Sequence, residues 1–131
     1  MKKIGIINQP ISAVIAGLGH MDRLVIADAG LPIPEHLIRI DLALRAGVPS
    51  FIETLETVLQ EMYVERAIIA AEITEHNPQL ETGIRTLLSG IPIDMPPHEQ
   101  FKQETHVAKA IIRTGEFSSY ANIILISGVV F

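Results

Sequence analysis

The stretch MDRLVIADAGLPIP, Met21 to Pro34, decides the fold class. Within it, Leu24 to Ala27 form a short apolar run, with Asp22 and Arg23 before it and Asp28 and the cluster Gly30, Pro32 and Pro34 after it. A run this short, bounded by turn residues, reads as a buried strand entering a loop. Upstream, Asn8 can cap a helix with Pro10 in its first turn and Ile11, Val14, Ile15 and Leu18 along one face, with Gly19 as its C-terminal stop. Helix, strand and loop in succession make the class α/β.

The same alternation continues outward. Ile38 to Leu44 alternates like a half-exposed strand, and Ser50 to Met62 has helical spacing in Ile52, Leu55, Val58, Leu59 and Met62. Ala67 to Ile73 reads as a central strand, and Asn77 with Pro78 starts a helix that runs through Leu88. A brief strand is expected at Ile91 to Met95 and a short helix after Pro97, with final strands at Ala108 to Ile112 and Ile123 to Val130. Gly47 with Pro49 and Gly90 with Pro92 mark loops rather than domain boundaries. Residues 1–131 are therefore expected to form one three-layer α/β/α domain around a central, mostly parallel or mixed sheet of about six strands.

Composition narrows the function. The apolar fraction is 48%; leaving out the 2 Tyr and counting the 9 Gly raises it to about 53%, against about 45–50% in ordinary chains. With 19% charged residues, the chain has more apolar surface than its own interior hides, so a homo-oligomer is expected. A net charge of -5 gives no electrostatic reason to bind nucleic acid. Cysteine is absent, so disulfides, thiolate nucleophiles and cysteine metal sites are excluded. Asn8, Gln9 and Pro10 interrupt the apolar opening before it resembles a signal peptide, and no stretch is long enough to span a membrane. A cytoplasmic protein without membrane contact is expected.

Few residues carry chemistry. His20 follows the first helix, at the negative end of its dipole, where an imidazolium is favoured, which suits a proton donor. Asp28 follows the strand, where sites gather in open α/β sheets. The plain alternatives are a histidine capping its helix and an aspartate bonding the turn amides of Ala29 and Gly30. His98 and Lys102, four apart, share a face if a helix begins at His98; the alternative is a solvated first turn. Tyr120 and Asn122 offer a phenol and an amide to sugar hydroxyls, although Asn122 could simply cap a turn. Gly17-Leu18-Gly19 lacks the third glycine and the preceding strand of a dinucleotide motif. There is no phosphate-cradling GxxxxGK[ST], no GxSxG and no HxH or HExxH spacing, so neither a cofactor nor a metal is expected.

The blocks LGHMDRLVIADAGLPIP (Leu18 to Pro34), HEQFK (His98 to Lys102) and AIIRTGEFSSYANIILISGV (Ala110 to Val129) resemble the D-ribose pyranase family of sugar mutarotases, along the whole chain. The related fucose mutarotases share the scheme, but ADAGLPIP and RTGEF look closer to the ribose enzymes. The resemblance implies an isomerase that interconverts the pyranose and furanose forms of free D-ribose. It implies His20 as the catalytic residue and Asp28, His98, Tyr120 and Asn122 as substrate contacts, with Lys102 as a further contact. It also implies a cytoplasmic decamer of two stacked pentamers, with sites built between subunits. One departure is Ser118-Ser119, where the family is expected to carry Thr and Pro; without that proline the loop before Tyr120 would be looser. Two other readings stay open: a non-catalytic sugar-binding or assembly module, and a mutarotase for another sugar such as fucose.

Overall fold

A computed structural model describes residues 1–131. It contains a six-stranded sheet: β1 (Arg23–Ala27), β2 (Ile38–Asp41), β3 (Val64–Ile68), β4 (Ile93–Asp94), β5 (Ala110–Arg113) and β6 (Ile123–Ser127), in spatial order β2-β5-β1-β6-β3-β4. Every pairing is parallel except those of β6, which runs antiparallel to both β1 and β3. The sheet is therefore mixed. The reversal has a simple cause: β5 and β6 are joined by the nine residues 114–122, fewer than a crossover to a parallel strand needs.

The helices are α1 (Gln9–Gly17), α2 (Phe51–Leu59), α3 (Ile73–His76), α4 (Pro78–Leu87) and α5 (His98–Glu104), the last continued by a 3₁₀ turn, Thr105–Val107. On one face of the sheet, Ile11 of α1, Phe51, Leu55 and Val58 of α2, and Ile84 of α4 are buried against Leu24, Ile26, Ile112, Ile123 and Leu125. Each such side chain contributes roughly 1.5–3 kcal/mol through burial. The other layer is thinner: Phe101 of α5, Ala108 and Leu31 cover Val25, Ile111 and Ile124.

Local chemistry explains the helix starts. Asn8 accepts the Ile11 N–H through Oδ1 at 3.0 Å, and Ser50 accepts the Glu53 N–H at 3.1 Å, each satisfying a donor that helix geometry leaves free. Several boundaries differ from the sequence reading. α1 ends at Gly17, with Leu18 already extended, so Gly19 is not its stop. Ile38 to Leu44 is strand only to Asp41, and the last strand stops at Ser127. The strand expected over Ala67 to Ile73 is Val64–Ile68, and Ile73 instead opens α3. Prolines account for the early end of β3. The N–H groups of Ala67, Ile69 and Ala71 bond the carbonyls of Pro92, Asp94 and Pro96, but Pro92 and Pro96 have no N–H to return, so the ladder shortens and β4 keeps two residues.

The expected Asn77 helix start is where the sequence places it, but Asn77 makes no capping bond with its side chain. The C-terminal Val130 and Phe131 are 82% and 102% exposed on the single chain, so they are not buried in the chain's own fold.

Candidate functional site

The parallel strands all deliver their carboxyl ends to one edge of the sheet, and β6 begins there because it runs the other way. Asp28 after β1, the α3 segment after β3, His98 after β4, Tyr120 in the β5–β6 loop and Asn122 just before β6 therefore converge by topology. Asp28, His98, Tyr120 and Asn122 line a cavity of about 190 Å³, with Leu31 and Pro32 on its wall. A larger cleft of about 380 Å³ adjoins it, sharing Asp28, Gly30 and Ser119.

Asp28 and Asn122 form its base. Asn122, 1% exposed, accepts the Asp28 backbone N–H through Oδ1 at 2.9 Å and donates through Nδ2 to Asp28 Oδ2 at 2.8 Å. Asp28 Oδ1 accepts the Gly30 N–H at 2.9 Å. The turn-bonding alternative for Asp28 thus describes one oxygen only, while the other is held by Asn122. Asn122 is no mere turn cap, since it locks two segments 94 residues apart.

His98 begins α5, as its spacing with Lys102 requires. Glu72 accepts the His98 backbone N–H with both carboxylate oxygens, at 3.0 and 2.9 Å, and this donor holds the Glu72 carboxyl below the usual range. The His98 ring lies parallel to Phe101 and edge-on to Tyr120, with centroids 6.1 and 5.1 Å away, and its Nδ1 is buried without a hydrogen-bond partner. Native structures leave few buried polar atoms in that condition.

Lys102 turns aside. It pairs with Glu99 at 2.6 Å and lines a neighbouring cleft, with His106 on its wall, that meets the Asp28 cavity at Pro32.

His20 lies at the opposite edge. Gly19 to Asp22 form a tight turn: Asp22 donates its N–H to the Gly19 carbonyl at 3.2 Å, and its carboxylate accepts the Gly19 N–H at 2.8 Å. That N–H, followed by Lys109, lowers the Asp22 carboxyl's affinity for protons against the cost of its burial. Met21 takes φ +68°, the positive value that a type II turn demands at its third residue. His20, the second residue, is presented to solvent, and its Nε2 meets Glu65 Oε2 at 3.1 Å and Oε1 at 3.2 Å. Its ring makes no bond to the end of α1. With five strand residues at about 3.3 Å each between them, His20 and Asp28 stand on the order of 17 Å apart. One chain does not bring them together.

Residues 1–130 match the model of the RbsD / FucU transport protein family. The chain belongs to this family. Among RbsD / FucU relatives, it is 58% identical to a D-ribose pyranase of Laribacter hongkongensis and 53% identical to one of Pasteurella multocida, each alignment covering 100% of both chains. Its fold superimposes on Bacillus subtilis RbsD, solved with D-ribose, with a TM-score of 0.98 and 48% identity over 100% of each chain. The fucose mutarotase of Streptococcus pneumoniae, solved with L-fucose, matches less closely, with a TM-score of 0.79 and 28% identity over 95% of each chain.

Sequence reasoning missed the second tier of residues. Glu65, Glu72 and Asn77 each touch a candidate site residue or its loop across 26 to 45 positions of chain, and Glu116, within the Tyr120 loop, ties it to Phe51 65 positions away. Asn77 drew notice only as a helix start. The loop before Tyr120 is tied rather than loose: Asn77 Nδ2 donates to Ser118 Oγ at 3.0 Å and to the Ser119 carbonyl at 2.9 Å.

Proposed function

We propose that this chain is a D-ribose pyranase, which opens and recloses the ring of free D-ribose at a site completed by a second copy. The observation that carries this reading is the cavity of about 190 Å³ in which a carboxylate, a carboxamide, an imidazole and a phenol converge, in a chain closely similar to one solved with D-ribose. This is a set of donors and acceptors suited to the hydroxyls of one small neutral sugar.

Ring exchange needs only proton movement. The anomeric hydroxyl loses its proton to a polar group of the cavity or to water while His20 protonates the ring oxygen. The bond from C1 to the ring oxygen breaks, and the open aldehyde recloses through the hydroxyl on C4 instead of C5. Asp28, His98, Tyr120 and Asn122 hold the other hydroxyls. Positioned acid–base groups supply about 100- to 10,000-fold, enough for a reaction that free aldoses already undergo slowly. Because His20 stands at the far edge of its own sheet, the donor reaching a given Asp28 comes from a neighbouring subunit. Glu65 fixes the donor's ring. An assembly of two stacked pentamers, working in the cytoplasm, fits this arrangement and the exposed C-terminal apolar residues.

The His20→Ala variant tests the reading. It should remain folded and assembled and still bind ribose, because the lost side chain is exposed and the cavity's hydrogen bonds stay, while exchange falls by about a hundredfold or more. Saturation transfer between pyranose and furanose signals reads the rate, and calorimetry reads affinity. Exchange at the wild-type rate would remove His20 from the mechanism. Fucose run in parallel separates the fucose reading, and wild-type protein that binds ribose without accelerating exchange would leave a sugar-binding module.

A further inference from the structure

The backbone of Tyr120 is held in a conformation it would not choose. Its φ is +58°, the left-handed region that a bulky side chain enters only at a cost. Such a conformation persists where the surroundings over-determine it, and here the restraints can be traced. On the C-terminal side, the Asn122 N–H bonds the Tyr120 carbonyl at 2.9 Å. Flanking the ring are His98, edge-on at 5.1 Å, and His76, tilted at 5.4 Å between centroids. On the N-terminal side, the exposed residues Ser118 and Ser119 are held by Asn77.

Asn77 is unusual in what it forgoes. It occupies the N-cap position of α4, where asparagine ordinarily accepts a helix N–H through its side chain. Its own backbone is far from the helical region, at φ -151° and ψ 56°, and no side-chain cap is made. Instead its amide nitrogen spans two groups of the β5–β6 loop, one of them a main-chain carbonyl immediately before Tyr120. A local stabilising role has been given up for a contact 41 and 42 residues away.

We infer that Asn77 is a positioning residue for substrate: its amide N–H groups hold Ser118 and Ser119 so that Tyr120 stays aimed into the sugar cavity. The inference rests on the reading of that cavity as the ribose site. It requires the donor character of the amide and not its bulk, because the Ser119 carbonyl accepts and never donates.

This requirement supplies a discriminating variant. Asn77→Asp is nearly isosteric, and aspartate is as good an N-cap as asparagine and better placed toward the helix dipole. Stability of α4 should therefore be kept or raised. The carboxylate, however, has no N–H for the Ser119 carbonyl and sets an oxygen against it. Asn77→Asp and Asn77→Ala should each raise the KM for D-ribose by about threefold to tenfold, the worth of one typical hydrogen bond, with kcat within twofold of wild type.

The measurement is saturation transfer across a range of ribose concentrations, with melting temperature and light scattering on the same samples. A second arm places Asn77→Ala in a Tyr120→Ala background. If Asn77 acts through Tyr120, adding the first substitution to the second leaves KM unchanged; independent effects would multiply. An Asn77→Asp protein that melts at or above the wild-type temperature with a raised KM supports the assignment. A KM within twofold of wild type, or multiplying effects in the double variant, overturns it while the ribose reading stands. Wild-type protein that neither binds nor exchanges ribose overturns both.

Discussion

Replacing Asn122 by alanine removes a donor and an acceptor at once. The backbone N–H and the carboxylate of Asp28 both lose their partner, in a place where Asn122 itself is buried and water has poor access. Leaving such groups unpaired costs about 1–3 kcal/mol, so Asn122→Ala should unfold at lower urea concentration and lower temperature as well as bind ribose weakly. His20→Ala should not, because His20 is exposed and bonded only to Glu65. Comparing the two by urea titration checks this; equal midpoints would show that the Asp28–Asn122 pair carries no stability. Both residues could be singled out from the sequence as polar side chains beside apolar strands. Their mutual bond could not, since local spacing says nothing of partners 94 positions apart.

The loop of residues 114–122 depends on a carboxylate that no local pattern announces. Glu116 Oε2 accepts the Phe51 N–H at the start of α2, and Oε1 accepts the Ser118 N–H, both at 3.1 Å. Burial pushes this carboxyl up, but the N–H donors of Phe51, Ser118 and Phe117 and the Ser118 hydroxyl outweigh it and hold the group below the ordinary glutamate value of 4.5. A depressed folded value means that the unfolded chain takes up the proton first. The stabilisation is therefore complete above the ordinary value and is lost as pH falls through the depressed one. Melting temperatures measured from pH 6 downward should fall more steeply for wild type than for Glu116→Gln. The difference isolates Glu116 from the other carboxylates held low, Asp22, Asp41, Glu61 and Glu72. Parallel curves would show that the Glu116 carboxylate adds nothing to the loop's other ties. The sequence marks Ser118-Ser119 as part of a loop before Tyr120, but the acidic residue two positions ahead of it looks solvated until α2 is packed beside it.

In the assembled molecule the exposed Val130 and Phe131 should be covered by a neighbouring copy, and light scattering at micromolar concentration should report ten copies of the 14.4 kDa chain. Deleting Val130 and Phe131 should lower that mass and, since the proposed mechanism takes His20 from a neighbour, lower exchange with it. A wild-type protein that scatters as a monomer would defeat both expectations. By itself the sequence determined the α/β class, the six apolar strand segments, most helix starts and the polar residues worth testing, because burial periodicity and capping are local properties written within a few positions. Only the tertiary structure decided that β6 lies between β1 and β3, that this placement brings Asn122 to Asp28, that Asn77 leaves its helix to hold the Tyr120 loop, and that His20 stands at the far edge of its own sheet. Those outcomes depend on which strand lies beside which, and strand order is settled by the packing of the whole chain, with contacts spanning tens of residues that no short window contains.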